Sequence, residues 1–518
     1  MMNGMQKLSW RKTLLILGGI LLFGAGLRFY GLGNNSFVAD EFLDINSSYG
    51  YAKTGEWKAW DFNFNRPSEV NINAARDERA NVYKWQVAQL FSFLPPTEGV
   101  ARSVSAFWGV LSILTMFFAG WFFSGKKLVG LFSAFLFAVS VPGVEFDRKL
   151  RMYAMFFPLF LAFSLALFAL YERAYSGKIK ILRTFWEKFE VNPMFILPLA
   201  LFGVLSFQTH QLSVNIVPIF AVYIGSMIVI SWRRKVRTSD KYMATAALGL
   251  VVAIVSWTVA PEKVKSLFSA LVLFDNHYAY FRYVVRDFAH PVLGVFLFVF
   301  GAWYLARKLG KERETAWLLS SSLVPLLMAV WFWRRNEGQQ YIFFAQSFMS
   351  ILVAIGGYGV VRFVKEEFSS RWRRAACAAT AVLFVIIPNW GYYLFWENNT
   401  YHETSSGSNA NYRKIYQYFR NNRSEVDALV ARNFRNYYWS GTGTEVLDFG
   451  GELSTSKLSV EEIQAFMARH PSGWFIASDN DMDYVSSAAE RFIEKNMERQ
   501  SHPLIRGDVS VFRWKVSQ

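Results

Sequence analysis

The chain has a single cysteine, Cys377, so no internal disulfide can form. It is short of charge, with 18% Asp, Glu, Lys and Arg against roughly a quarter in soluble domains. Internal repeats and low-complexity tracts are absent. A disulfide scaffold, a repeat array and an ordinary soluble globule are therefore excluded. In place of charge the 518 residues carry 50 Phe and 19 Trp, and 53% are hydrophobic. One core cannot hide that much aromatic surface, whereas lipid can cover it. The mean hydropathy of +0.18 is moderate, so part of the chain is polar and lies outside a bilayer. A net charge of +16 would suggest nucleic acid in a soluble protein. Here basic cytoplasmic loops explain it, and no nucleic-acid partner is expected.

Residues 13–32 are apolar for about the length that spans a bilayer, and no small-residue cleavage site follows them. They read as a retained helix with a cytoplasmic N-terminus. Further spans are expected at about 101–123, 128–144, 152–171, 193–209, 212–232, 243–260, 291–306, 316–333, 341–361 and 375–396, about eleven in all. Every second connection should then be cytoplasmic. Those connections carry Lys126-Lys127; Arg173, Lys178, Lys180, Arg183 and Lys188; Arg233-Arg234-Lys235 and Arg237; Arg307-Lys308, Lys311 and Arg313; and Arg371 with Arg373-Arg374. Each is basic, as the positive-inside rule requires.

The expected fold is thus a polytopic α-helical membrane protein with a C-terminal extracytoplasmic α/β domain. Its domains are 1–396, with an outer loop and interfacial helices at about 33–96, and 397–518. The stretch after Glu41 reads as polar and irregular to about Val82. An amphipathic interfacial helix follows at 77–94, stopped by Pro95-Pro96. Beyond Trp396, helices are expected at 411–423, 460–469 and 482–497, the second opened by a Ser459…Glu462 capping box. Strands are expected at 427–431, 474–478 and 509–514. This region holds no metal cluster, nucleophile motif or Gly-rich phosphate loop, which leaves it to shape or cover a site.

Several outer loops carry charge that the inside rule does not explain. Asp40-Glu41 stands where the chain has just left its first span. Asp40 can act as a general base toward a hydroxyl, or simply complement the dipole of a helix starting near Glu41. The connection Glu145-Phe146-Asp147-Arg148-Lys149-Leu150-Arg151-Met152-Tyr153 sets three cations and two anions on the outer face. A phosphate or an anionic headgroup would account for them; local salt bridging is the alternative. Glu78, Lys84, His210, His277, Arg334 and Arg335 face the same side in this topology. His210 with Glu78 is a candidate pair of metal ligands. A helix-end histidine held only by hydrogen bonds is the plainer alternative.

The run Leu27-Arg28-Phe29-Tyr30-Gly31-Leu32, the Asp40-Glu41 pair and the Arg151-Met152-Tyr153 loop together resemble the GT-C membrane glycosyltransferases. The nearest resemblance is to the superfamily of protein O-mannosyltransferases and lipid A aminoarabinose transferases. The Thr209-His210 helix end is a further match. The resemblance covers the layout of most of the chain and short motifs in residues. It implies transfer of a sugar from a polyprenyl-phosphate donor to an acceptor hydroxyl outside the plasma (inner) membrane, with inversion. Asp40 would be the general base, with Glu41 orienting the acceptor or the sugar. Arg148, Arg151 and Lys84 would stabilise the leaving phosphate. Glu145, Asp147, Tyr153, Glu78, His210, His277, Arg334 and Arg335 are secondary candidates. The resemblance names no cofactor and leaves a divalent metal open, as it does the sugar and whether the acceptor is lipid, glycan or protein.

The chain also departs from these relatives. Their Lys-Pro-Pro-Leu run is replaced by Val82-Tyr83-Lys84-Trp85-Gln86, and their late Arg-Tyr by Gln340-Tyr341, where Arg334 or Arg335 can substitute. The Trp-Trp-Asp-Tyr-Gly signature of oligosaccharyltransferases is absent. Tyr437-Tyr438-Trp439-Ser440-Gly441 has no central carboxylate, which argues against block transfer to asparagine. The competing classes are a transporter or lipid flippase, which calls for charged or broken helices at mid-depth, and a non-catalytic membrane binding protein.

Overall fold

The computed structural model describes residues 9–38, 40–68, 80–236, 238–262, 264–265, 277–284, 290–333, 338–367, 390–394, 399–401, 410–450 and 457–515. Glu78, Arg334, Arg335 and most of the expected span at 375–396 lie outside them. The chain divides into two compact units. The first comprises Met1–Tyr30, Ser105–Asp147 and Met152–Trp390. The second comprises Gly31–Val104, Arg148–Arg151 and Gly391–Gln518. The outer segment expected at 33–96 therefore clusters with the C-terminal residues.

The first unit is helical. Among the described residues of the whole chain, seven helices are long and apolar enough to cross a membrane. They are Trp10–Phe29, Glu98–Ser124, Tyr153–Glu172, Gln211–Arg233, Asp240–Val259, Glu312–Trp331 and Phe343–Val364, and each coincides with an expected span. Two bent pairs raise the number to nine. Lys127–Ala138 meets Val141–Asp147 at 62°, and Lys180–Phe189 meets Pro193–Thr209 at 102°. The expected span at 128–144 is thus broken, beside Pro142, which has no N–H to continue a ladder. Pro291–Arg307 is apolar but has only 17 residues. The protein is a multi-pass membrane protein. Asp240–Val259 shows why lipid is needed: of its residues only Tyr242 is buried, while Leu248, Leu250, Val251 and Ile254 are exposed. Elsewhere glycine brings helices together. A Cβ at Gly301 would meet the carbonyl of Leu352, and one at Gly356 the carbonyl of Leu297. Pro291–Arg307 and Gln346–Glu367 can approach this closely because those side chains are missing.

Arg28 and Asp147 form an ion pair buried in the first unit, Nε to Oδ2 at 2.7 Å with both side chains at 0% exposure. Arg28 also donates to the carbonyls of Gly24, Phe137 and Ala138. The last two bonds use carbonyls at the end of Lys127–Ala138, where helical partners run out.

The second unit contains a five-stranded sheet in the order Val446–Leu447, Ala428–Val430, Ser472–Ser478, Val509–Lys515, Glu498–Arg499. The first two pairings are parallel and the last two antiparallel. The central strand Ser472–Ser478 is buried throughout. On one face Phe475 and Ala477 pack with Ile463, Phe466, Ala489 and Ile493 from helices Val460–Arg469 and Ser487–Asn496. On the other, Trp474 packs edge-on to Phe419 of helix Tyr412–Asn422. A strand covered on both faces reads as a continuous apolar run, as Trp474-Phe475-Ile476-Ala477 does. The Ser459–Glu462 capping box forms as expected. The helix expected at 482–497 is shorter, running Ser487–Asn496 behind an N-cap at Ser486. The stretch after Glu41, expected to be irregular, is a helix from Glu41 to Thr54 closed by Gly55 in the left-handed region. A two-stranded hairpin pairing Trp60–Asp61 with Arg66–Pro67 follows it. Polar surface hid that helix, because its buried face (Phe42, Ile45) needs the tertiary neighbours to show it.

Candidate functional site

The site is built on the start of helix Glu41–Thr54 and on the short segment Arg148–Arg151, both in the second unit. The anchor is Glu41, buried at 1%. Arg102, from the first turns of Glu98–Ser124, meets it side-on through Nε to Oε1 at 2.8 Å and Nη2 to Oε2 at 2.7 Å. The amide of Leu150 donates to Oε1 at 2.6 Å and that of Val38 to Oε2 at 3.0 Å. Arg102 also holds the carbonyls of Leu32, Asn35 and Ser36. Burial pushes the Glu41 carboxyl up, but the charge and hydrogen bonds of Arg102 and the two amides prevail and hold it below its ordinary 4.5. Glu41 is thus closed off from substrate. It locks the loop before the helix to the loop that carries Arg151.

Next to this lock lies an open arrangement. Asp40 is the N-cap residue of the helix, where a carboxylate complements the helix dipole, and it makes no side-chain capping hydrogen bond. Its carboxylate is half exposed and meets Arg151 Nη2 at 2.9 Å. Arg151 Nη1 binds Asp44 Oδ2 at 2.8 Å. One guanidinium therefore bridges two carboxylates one helical turn apart, on the same face. Lys84, from helix Asn81–Phe91, is buried, donates to Ser47 at 3.0 Å and adds its charge beside Asp44. Its ammonium also lies 5.4 Å from the centre of the Trp57 ring, which stacks on Tyr51. Burial pushes Asp44 above its ordinary 3.8, and the charges of Arg151 and Lys84 do not cancel the shift.

Arg148 stands apart from this arrangement. It is buried, donates to the carbonyls of Gly31 and Thr400 at 3.2 Å, and stacks on Tyr401. That revises the expectation of a phosphate-facing Arg148, because its guanidinium is directed at backbone carbonyls inside the loop's packing. Asp147 is likewise corrected from an outer-site candidate to the buried partner of Arg28. Glu145 is half-buried at the end of Val141–Asp147. In the first unit, Tyr153 packs on the ring of His210, 5.3 Å between centroids. His210 accepts from the Leu212 amide at Nδ1, capping the turn that follows, so that nitrogen serves the backbone. His277 pairs through its amide with the Val330 carbonyl. Among the described residues no cluster of three or more His, Cys, Asp or Glu could hold a metal ion.

Two residues of the site escaped the sequence reading. Asp44 carried a signal, its spacing of four from Asp40, which puts both carboxylates on one helix face. Arg102 carried another, as a cation at the mouth of an apolar span. The aromatic run Tyr437-Tyr438-Trp439 lies in a 3-10 helix. There the Tyr438 hydroxyl accepts from the Phe37 amide at 2.6 Å and donates to Glu98 at 2.9 Å. Arg413 also pairs with Glu98, at 2.7 Å.

No family model and no curated protein matches this chain. Solved structures do. The archaeal oligosaccharyltransferase AglB from Archaeoglobus fulgidus, in complex with an inhibitory peptide and a dolichol-phosphate, is similar at a TM-score of 0.58 and 10% identity, over 95% of this chain and 73% of its own. The same oligosaccharyltransferase in the apo form gives 0.60 and 11%, over 95% and 73%. ArnT from Cupriavidus metallidurans, bound to undecaprenyl phosphate, gives 0.53 and 10%, over 98% of each chain. At such identities the likeness concerns architecture, and the architecture is that of the GT-C fold: a multi-pass helical membrane region with a C-terminal sheet domain.

Proposed function

We propose that the protein is a membrane glycosyltransferase that moves a sugar from a polyprenyl-phosphate carrier to an acceptor hydroxyl. Asp40 is its general base. The observation that carries this reading is the half-exposed Asp40 carboxylate, held at 2.9 Å by Arg151 while Asp44 holds the same guanidinium from the other side. The acceptor O–H gives its proton to Asp40, and its oxygen forms a bond to the anomeric carbon as the carbon–oxygen bond to the phosphate breaks. The electron pair of that bond leaves with the polyprenyl phosphate. A neutral Asp40 holds Arg151 less strongly, so one N–H arm can turn to the phosphate as its charge grows. Proton uptake and leaving-group stabilisation are thereby coupled. Lys84 adds positive charge, and Glu41 positions both loops. A single displacement of this kind inverts the anomeric centre.

Two observations support the class. Both AglB and ArnT were solved with a polyprenyl phosphate bound. The buried charges Arg28 and Asp147 sit at helix ends, although the break in the 128–144 span is a feature a transporter also shows. The basic character of every second connection, all on one side in this topology, supports a plasma (inner) membrane protein with a cytoplasmic N-terminus and the sheet domain outside.

The test is transfer by the purified protein from a panel of polyprenyl-phosphate sugars to envelope acceptors. Release of polyprenyl phosphate and acceptor labelling are followed for wild type and Asp40→Asn. Turnover of one donor, abolished in a folded Asp40→Asn protein, supports the reading. Equal turnover by both proteins removes Asp40 from the mechanism, and no turnover with any donor removes the enzyme.

A further inference from the structure

A second polar site lies within the first unit. A cavity of about 400 Å³ is lined by Glu172, Arg173, Trp186, Glu187, Glu190 and Arg313, with Ser239 and Lys241 completing the wall. Its size falls within the usual range of ligand pockets. The lining comes from one end of several membrane helices: the last turn of Tyr153–Glu172 and the first turns of Asp240–Val259 and Glu312–Trp331. This is the end that the charge pattern expects to be cytoplasmic. It takes no part in the chemistry built around Asp40.

Helix Lys180–Phe189 forms one wall, and it has an unusual environment. None of its ten residues is buried. Ile181, Phe185 and Phe189 lie on one face at 75%, 36% and 50% exposure, while Lys180, Arg183 and Glu187 fall on the other. A short helix this amphipathic, with an apolar face left partly exposed, fits the headgroup–acyl boundary of a bilayer. Its 102° angle to the following span lets it lie along the surface. Trp186 faces the cavity from that helix, the position where an amphipathic ring meets lipid headgroups.

The charges on the wall are balanced. Arg173, Lys241 and Arg313 face Glu172, Glu187 and Glu190. Glu172 is engaged by Arg313 at 3.0 Å, Lys241 at 3.7 Å and the Tyr242 hydroxyl at 2.9 Å. Arg173 reaches Glu314 at 3.5 Å. Arg313 still exposes about half of its side chain, at 53%. On the opposite wall Glu190 accepts from Ser239 at 2.9 Å, and Glu187 makes no ion pair among the described residues. A purely anionic ligand would meet these carboxylates and a purely cationic one the arginines.

We propose that this cavity binds the headgroup of a zwitterionic amino-phospholipid of the surrounding leaflet. Its phosphate meets Arg313, its primary ammonium meets Glu187, and its acyl chains lie along the apolar face of Lys180–Phe189. The class is that of phosphatidylethanolamine: a phosphodiester and an N–H-donating ammonium joined by two carbons.

The experiment uses the full chain, delipidated in detergent. Dioleoyl phosphatidylethanolamine, phosphatidylcholine and phosphatidylglycerol are added in turn, and binding is read by native mass spectrometry with the shift in Tm as a second readout. The ethanolamine lipid is expected to bind most tightly. Glu187→Gln, at an exposed position, should lower its affinity about fivefold, the value of one semi-exposed ion pair, and should not lower phosphatidylglycerol binding, because a like charge is removed. Equal binding of all three lipids, or an ethanolamine preference that persists undiminished in Glu187→Gln, overturns the assignment. Soluble glycerophosphoethanolamine provides the other arm. If it binds as tightly as the lipid, the cavity takes a free phosphate ester and the lipid reading fails.

Discussion

Asp40 and Glu41 are neighbours in the chain, and each meets an arginine, yet the two pairs differ in kind. Glu41 and Arg102 are both buried, at 1% and 5% exposure, and between them they tie Val38, Leu150 and three further carbonyls. Asp40 is 49% exposed, and its arginine is shared with Asp44. The closed pair has every strong donor directed at fixed partners, so it determines shape. The open one has a half-exposed carboxylate and a guanidinium with two competing holders, so it can exchange partners during a reaction. Adjacent residues on a helix point about 100° apart, and that angle separates the two roles.

This contrast can be broken from either side. The largest effect is expected for Asp40→Asn. Transfer should fall by about 10²- to 10⁴-fold while Tm stays near wild type, read by polyprenyl-phosphate release alongside thermal unfolding. Arg102→Met should do the reverse in kind. It leaves the Glu41 carboxylate buried without its partner, which costs about 3–5 kcal/mol of stability, visible as poor folding and a lowered Tm. Adding Glu41→Gln to Arg102→Met should recover part of that loss, because no charge then remains buried. A double variant no better than the single one would show that the backbone bonds, not the charge, dominate.

Asp44→Asn sharpens the open half. It removes one holder of Arg151 and should slow transfer about tenfold, roughly the 1.4 kcal/mol of a weakened charge-assisted hydrogen bond, with little change in Tm. The smallest effects are in pH dependence, and they have opposite signs. Glu41 lies below its ordinary 4.5, so its stabilisation is present above that pH and is lost as pH falls through the lowered value. Asp44 lies above its ordinary 3.8, so its contribution is present below that pH and is lost as pH rises through the raised value. Thermal melts from about pH 3 to about pH 7 should show Glu41→Gln approaching wild type on acidification. Asp44→Asn should gain on wild type as pH rises. Slopes of the same sign would mean that the two carboxylates share one environment.

The spans were legible because lipid imposes a length and a hydropathy that stand out from any background. Each of the seven long apolar helices falls on an expected span, and the capping box at Ser459 carried its own signature. Helix Glu41–Thr54 was not legible, since its apolar residues are few and its buried face is defined by partners far along the chain, such as Phe434 against Phe42. Arg148 and Arg151 looked alike as cations three apart in one outer loop. The structure sends one to backbone carbonyls and the other to two carboxylates.

By itself, then, the sequence determined the apolar helices long enough to cross a membrane and the short charged segments between them in which reactive groups could lie. Hydropathy and loop charge act locally, and each segment carries its own signal. Only the tertiary structure decided which charged residues of those segments are buried as locks and which are left open. An ion pair such as Glu41 with Arg102, 61 residues apart, is a property of packing, and the sequence records its members without recording that they meet.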